Sequence, residues 1–177
     1  MRLTVAIAAA GLCVTLFGCQ GTMMTGQGVV PDRNAELVQY ITDQAYITAE
    51  PAYRAVYVLA KGDALEGEFD ELSATLAADG LIGKSWDYAP QRCLTRADVG
   101  FMICRACRIR TGVNWTLTGL GRYAWRELIY HEIANGGDEN RLMSGGEFVG
   151  ILLRAEEYLT RTHQHERPPI ELGAGTG

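Results

Sequence analysis

The sequence has 177 residues, 47% of them hydrophobic, 21% charged and 8% aromatic, a balance that fits one globular domain and excludes a disordered, collagen-like or polytopic membrane chain. Sixteen basic against 21 acidic residues give a formal charge of −5 and a pI near 5.2. A dedicated nucleic-acid binder carries the opposite balance, so nucleic acid is not an expected partner.

At the front, Met1 and Arg2 precede an uncharged, mostly apolar run over residues 3–17, too short to span a bilayer comfortably and patterned as a secretory signal. Its end, Leu16-Phe17-Gly18-Cys19, resembles the lipobox of bacterial lipoproteins. The resemblance implies cleavage before Cys19, whose thiol and new amino group would carry lipid. Each buried acyl methylene contributes about 0.8 kcal/mol, so several chains on one residue hold a protein on a membrane almost permanently. Removal of residues 1–18 leaves 159 residues and takes away one positive charge, Arg2, for a net of −6. In Gram-negative families of this type a residue other than Asp after the cysteine, here Gln20, implies the outer membrane. Residues 19–31 form a glycine-bearing stretch without helical periodicity, suited to a tether, and residues 167–177 read as a disordered tail.

The region between, residues 32–166, is expected to be all-α, a compact bundle of about six helices built from tandem helix-loop-helix units over about 32–61, 69–107 and 122–160. The first helix, about 32–47, is capped by Asp32 and aligns Leu37, Val38, Ile41 and Ala45. The second starts at Pro51, a favoured first-turn residue, groups Ala52, Ala55, Val56 and Leu59, and stops before Gly62. The third, about 69–79, presents Phe69, Leu72 and Leu76, with Gly80 as a left-handed cap. Thr95 and Asp98 have capping-box spacing at the start of the fourth, whose apolar face is Val99, Met102, Ile103 and Ala106. The fifth, about 122–134, buries Ala124, Leu128, Ile129 and Ile133 before Asn135-Gly136-Gly137. Ser144 and Glu147 form a second capping box for the sixth, which runs through Phe148, Ile151, Leu152, Ala155 and Leu159.

Residues 94–106 lie over residues 143–155 at a constant offset of 49: the cap, the carboxylate, the apolar face and a closing Arg-Ala all recur. Such a period, with two helices per unit, describes units that bury their apolar faces only by packing on one another. The first clear unit resembles a surface-layer-homology (SLH) repeat through Leu76, Gly80-Leu81-Ile82, Tyr88-Ala89-Pro90 and Leu94-Thr95-Arg96-Ala97-Asp98. The likeness is good over 69–107, moderate over 122–160 and absent over 32–61. It implies a helical domain of three units with grooves between them that bind anionic cell-wall polysaccharide, Arg96 meeting the ligand's charge. Gly145 stands where the second unit's arginine would be, so at most one intact groove is expected.

Arg96 falls at a helix N-terminal turn, where exposed amides and the macrodipole favour an anion that a guanidinium clamps. Trp86 and Tyr88 in the preceding loop offer a stacking face for a sugar ring, with Thr95 and Asp98 beside them; the alternative is that the two rings merely close the loop onto the core. Cys104-x-x-Cys107, with Cys93 earlier, raises a disulfide, a metal site or a redox motif. Arg108 after Cys107 excludes covalent haem attachment, no histidine has zinc-ligand spacing, and Cys93 and Cys104 stand roughly 13–17 Å apart along one helix. Structural thiols are expected, Cys104 buried and Cys107 partly exposed, with a strained bridge between them as the alternative. His131-Glu132 begins like a zincin motif, but Asn135 occupies the place of the second histidine. Glu156 and Glu157 point about 100° apart on a helix, and no nucleophile elbow, phosphate loop or dinucleotide fingerprint occurs. The expectation is a noncatalytic module without cofactor or metal, linking a membrane to a cell-wall polysaccharide through Arg96, Trp86 and Tyr88. The alternative is an envelope lipoprotein that kept the fold without the glycan groove and meets a protein through Tyr53, Tyr57, Trp115 or Trp125.

Overall fold

The computed structural model describes residues 30–31, 34–109 and 120–166; Cys19, the expected tether up to residue 29, the tail, Asp32 and Trp115 lie outside them, while Val30, at the expected end of the tether, is buried against the core. Six helices follow in chain order: α1 (Asn34–Thr42), α2 (Ala49–Lys61), α3 (Phe69–Ala78), α4 (Arg96–Ala106), α5 (Gly121–Tyr130) and α6 (Gly145–Glu166). Among the described residues the only extended pairings are two isolated antiparallel bridges, Thr48 with Cys93 and Thr95 with Leu142. The protein is an all-α bundle.

Local chemistry explains most boundaries. Thr95 accepts from the Asp98 amide at 3.2 Å while the Asp98 carboxylate accepts from the Thr95 amide at 2.9 Å, which completes the expected capping box. Gly80 adopts φ 71°, letting its own N–H reach Ala77 and that of Leu81 reach Leu76, so the last carbonyls of α3 are satisfied. Other ends moved. Helix α1 stops at Thr42, so Ala45 is exposed and Val38 stays 43% exposed, while Leu37 and Ile41 are buried. Thr48 precedes α2, which places Pro51 third in the helix, still among the positions whose amides lack an intrahelical partner. Helix α5 ends at Tyr130 because Ile133 and Ala134 both donate back to Leu128 through a turn with Glu132 at φ 60°.

The three helix pairs, α1/α2, α3/α4 and α5/α6, close on one another. Ile47, Leu94 and Met143 each precede the cap of a second helix. The Ile47 amide donates to Met143 at 2.9 Å, Met143 to Leu94 at 3.1 Å and Leu94 to Ile47 at 3.0 Å, a closed circuit of main-chain bonds. A second tier repeats it: Ala49 donates to Arg92, Arg96 to Arg141 and Gly145 to Gln44. The α1/α2 pair, residues 34–61, therefore occupies the place of a third unit, although its side chains do not announce it.

The three pairs share one core, with Trp125, Tyr53 and Phe148 as its largest fully buried side chains. Helices α4 and α5 pack closest. A Cβ at Gly100 would lie 2.8 Å from the Trp125 amide nitrogen, and one at Gly121 would overlap the Ala97 carbonyl. At Gly145 a Cβ would overlap the Ile41 carbonyl oxygen, which is why no side chain, arginine included, fits that position of the third unit.

Candidate functional site

The expected contact residues separate into two groups. Around the loop before α4, Trp86 and Tyr88 stack with ring centroids 4.8 Å apart and planes 12° from parallel. Trp86 also meets Phe101 of α4 at 5.1 Å. The Tyr88 hydroxyl donates to Asp98 at 3.1 Å, so the capping carboxylate that starts α4 also holds the ring. Arg92, exposed, lies 3.7 Å over the Tyr88 ring, and Arg105, one turn beyond Phe101, lies 5.5 Å over that ring. The outcome is a half-buried strip of three aromatic rings with a guanidinium at each end. Arg92, Phe101 and Arg105 were not singled out from sequence; the tyrosine to arginine spacing across the turn at Pro90 is the one signal for Arg92.

Burial first, then the charge of Asp98 and the hydrogen bond to it, push Tyr88 up to about 12 against the opposing pull of Arg92. Tyr88 is thus a neutral donor to Asp98 at any physiological pH. Tyr53 lies close enough to feel Tyr88 and Asp98, and burial raises its hydroxyl well above the ordinary tyrosine range. That hydroxyl is fully buried without a hydrogen-bond partner.

Arg96 turns away from this strip. It is 9% exposed, its Nη2 lies 2.9 Å from Glu147 and its guanidinium carbon 5.6 Å from the Trp125 ring centroid. Its Nη1 fills the space a Cβ on Gly137 would take. The Glu147 amide donates to Ser144 at 3.3 Å as expected, but the carboxylate of this second capping box goes to Arg96. Nor is the start of α4 open to an anion: the amides of Arg96 and Ala97 donate to Arg141 and Glu139 of the next unit, and that of Asp98 to Thr95. Desolvation and neighbouring carbonyls have used the groups that the sequence offered as an anion clamp.

Among the described residues, Cys93, Cys104 and Cys107 are free thiols. Cys104 is buried, its Sγ 3.4 Å from the Ala124 carbonyl, and burial lifts it far above the usual thiol range. Cys107 is buried as well, 5% exposed with its Sγ 3.9 Å from the Ala155 carbonyl, contrary to the expectation of partial exposure, and burial pushes it up to about 12. Among the described residues no group of three or more His, Cys, Asp or Glu could hold a metal ion, and no helix is long and apolar enough to cross a membrane. Of the aromatics considered for a protein interface, Tyr53 and Trp125 are buried in the core and Tyr57 is half-buried.

No protein-family model matches the chain, and neither does any curated protein or solved structure.

Proposed function

We propose that this chain is a noncatalytic bacterial envelope lipoprotein, lipid-anchored through Cys19, whose SLH-like helical domain binds a cell-wall or surface polysaccharide. The observation that supports this most is the Trp86–Tyr88 stack, held in one orientation by Asp98 and flanked by Arg92. Aromatic faces and edges fixed in place, beside an exposed guanidinium, suit a sugar ring with a nearby carboxylate or phosphate. Arg96 serves in this reading as a positioning residue that joins two units through Glu147, not as a ligand contact.

The test is co-sedimentation of the mature chain, carrying Cys19→Ser, with purified wall fragments of the host. Arg92→Ala and Trp86→Ala should weaken binding at least tenfold, and Arg92→Ala, which removes an exposed side chain, should leave the melting temperature unchanged. Arg96→Ala should instead lower stability by about 2 kcal/mol, because it strands a partly buried carboxylate. Undiminished binding by the Arg92 and Trp86 variants would refute the site, and absence of binding by the folded parent would refute the function. In that case a protein-interaction role becomes the better reading, favoured by Tyr130 and Leu153, which stand 80% and 62% exposed.

A further inference from the structure

The acidic total of this chain conceals a strong segregation. Residues 92–130, from just before α4 to the end of α5, contain seven arginines and two carboxylates, Asp98 and Glu127, a net charge of +5 that leaves −10 on the remainder. Asp98 is engaged with Thr95 and Tyr88, and Arg96 is turned inward to Glu147. Arg92, Arg105, Arg108, Arg122 and Arg126 are all exposed. Glu127, on α5 itself, offsets one of these charges, and the screening length of about 8 Å at physiological salt weakens the pull of carboxylates farther off.

Three of these arginines are carried by two closely packed helices. Helices α4 and α5 are packed backbone to backbone at Gly100 and Gly121, so Arg105 near the end of α4 and Arg122 and Arg126 on α5 lie within about two helix diameters, roughly 20 Å, with Arg92 and Arg108 flanking α4. Aromatic rings are interleaved with them: Arg105 sits over Phe101, while Arg122 and Arg126, one turn apart, lie 5.0 and 6.0 Å from the Tyr123 centroid. Arginine heads beside amphipathic rings on helix exteriors match the headgroup layer of an anionic bilayer, where the rings sit at the interface and the cations meet lipid phosphates.

We infer that the α4–α5 face is a docking surface for an anionic lipid bilayer, and that it orients the domain against the membrane that holds it. The inference rests on the lipid-anchor part of the proposed function. Ten residues separate Cys19 from Val30, which is buried in the core, and reach at most about 36 Å, so tethering keeps the local concentration of the membrane high and weak contacts suffice. Each arginine near an anionic surface contributes about fivefold in affinity.

The experiment uses the mature chain with Cys19→Ser, so that no lipid is attached, in sedimentation with vesicles of phosphatidylcholine alone or with 30% phosphatidylglycerol. The expected result is binding to the anionic vesicles only, lost at 0.5 M NaCl and reduced about 100-fold or more in Arg105→Gln/Arg122→Gln/Arg126→Gln, whose melting curve should match the parent. Absence of binding to anionic vesicles, equal binding to neutral ones, or full binding by the triple variant would overturn it. Wall-fragment binding is measured on the same proteins. If the triple variant loses the wall fragments while the parent ignores vesicles, the face belongs to the polymer and the membrane assignment fails. If vesicle binding holds and neither protein binds wall fragments, the polysaccharide reading fails alone.

Discussion

Two adjacent glycines at the start of α6 should respond oppositely to the same substitution. A Cβ on Gly145 would overlap the Ile41 carbonyl oxygen and lie 3.0 Å from that of Gln44, whereas one on Gly146 meets nothing within 4 Å. Main-chain carbonyls cannot rotate aside as a side chain does, so Gly145→Ala forces the end of α1 outward. Overpacking of this kind costs about 1–3 kcal/mol, and weakening the Gly145 to Gln44 bond, 3.1 Å long, costs about 1 kcal/mol more. The helix-propensity gain of replacing glycine returns about 0.5–1 kcal/mol. Gly145→Ala should therefore destabilise by about 2 kcal/mol, while Gly146→Ala, with the gain and no collision, should stabilise by up to about 1 kcal/mol. For a domain of this size the two melting temperatures should straddle the parent by about 8 °C below and a few degrees above. Thermal and urea unfolding followed by circular dichroism measure both. If the variants shift together, or Gly145→Ala is as stable as the parent, the close approach of α1 to α6 is wrong, and with it the reason no arginine occupies that position.

Thr95→Ala removes the cap that accepts from Asp98 and should cost about 1–2 kcal/mol in urea unfolding, with the rest of the helix retained. Tyr88 is held up to about 12 when folded against 10 when unfolded; the folded chain then binds more protons, so this contribution is intact below pH 10 and disappears between pH 10 and 12. Tyrosinate absorbance should show Tyr88 ionising late, and Tyr88→Phe should flatten the alkaline loss of stability. In the mature Cys19→Ser chain a thiol reagent at pH 8 should modify half-buried Cys93 first, with Cys104 and Cys107 protected until the protein unfolds. Rapid labelling of Cys107 in the native state would contradict its burial.

What the sequence made legible is what short-range chemistry encodes. The Thr95/Asp98 spacing and the run Val99, Met102, Ile103, Ala106 specify a capped helix with one buried face, and α4 has both. Contacts between units leave no such mark, because main-chain bonds among Ile47, Leu94 and Met143 can be made by any residue type. The direction of Arg96 was equally hidden: it depends on Glu147 and Gly137, some 50 and 41 residues away. The exposure expected for Cys107 follows from carrying the offset of 49 one residue further, which sets it opposite polar Glu156. That comparison fails because α4 ends at Ala106 and tucks position 107 beneath α6, whereas α6 runs on to Glu166. Charge segregation was present in the sequence throughout, but a single net value averages it away.

The circuit through Ile47, Leu94 and Met143 sets this domain apart from an open array of helical hairpins. A linear stack gains or loses members at its ends with little disturbance to the middle, and it needs special terminal members to shield its last faces. A ring has no ends. Adding a fourth hairpin would break one link and leave an amide and a carbonyl unsatisfied, and deleting any of the three would do the same to its two neighbours. Copy number is thus written into the hydrogen-bonding geometry, and sequence drift is free to erase the kinship among the members, as it has over residues 32–61, provided each still delivers one donor and one acceptor to the centre.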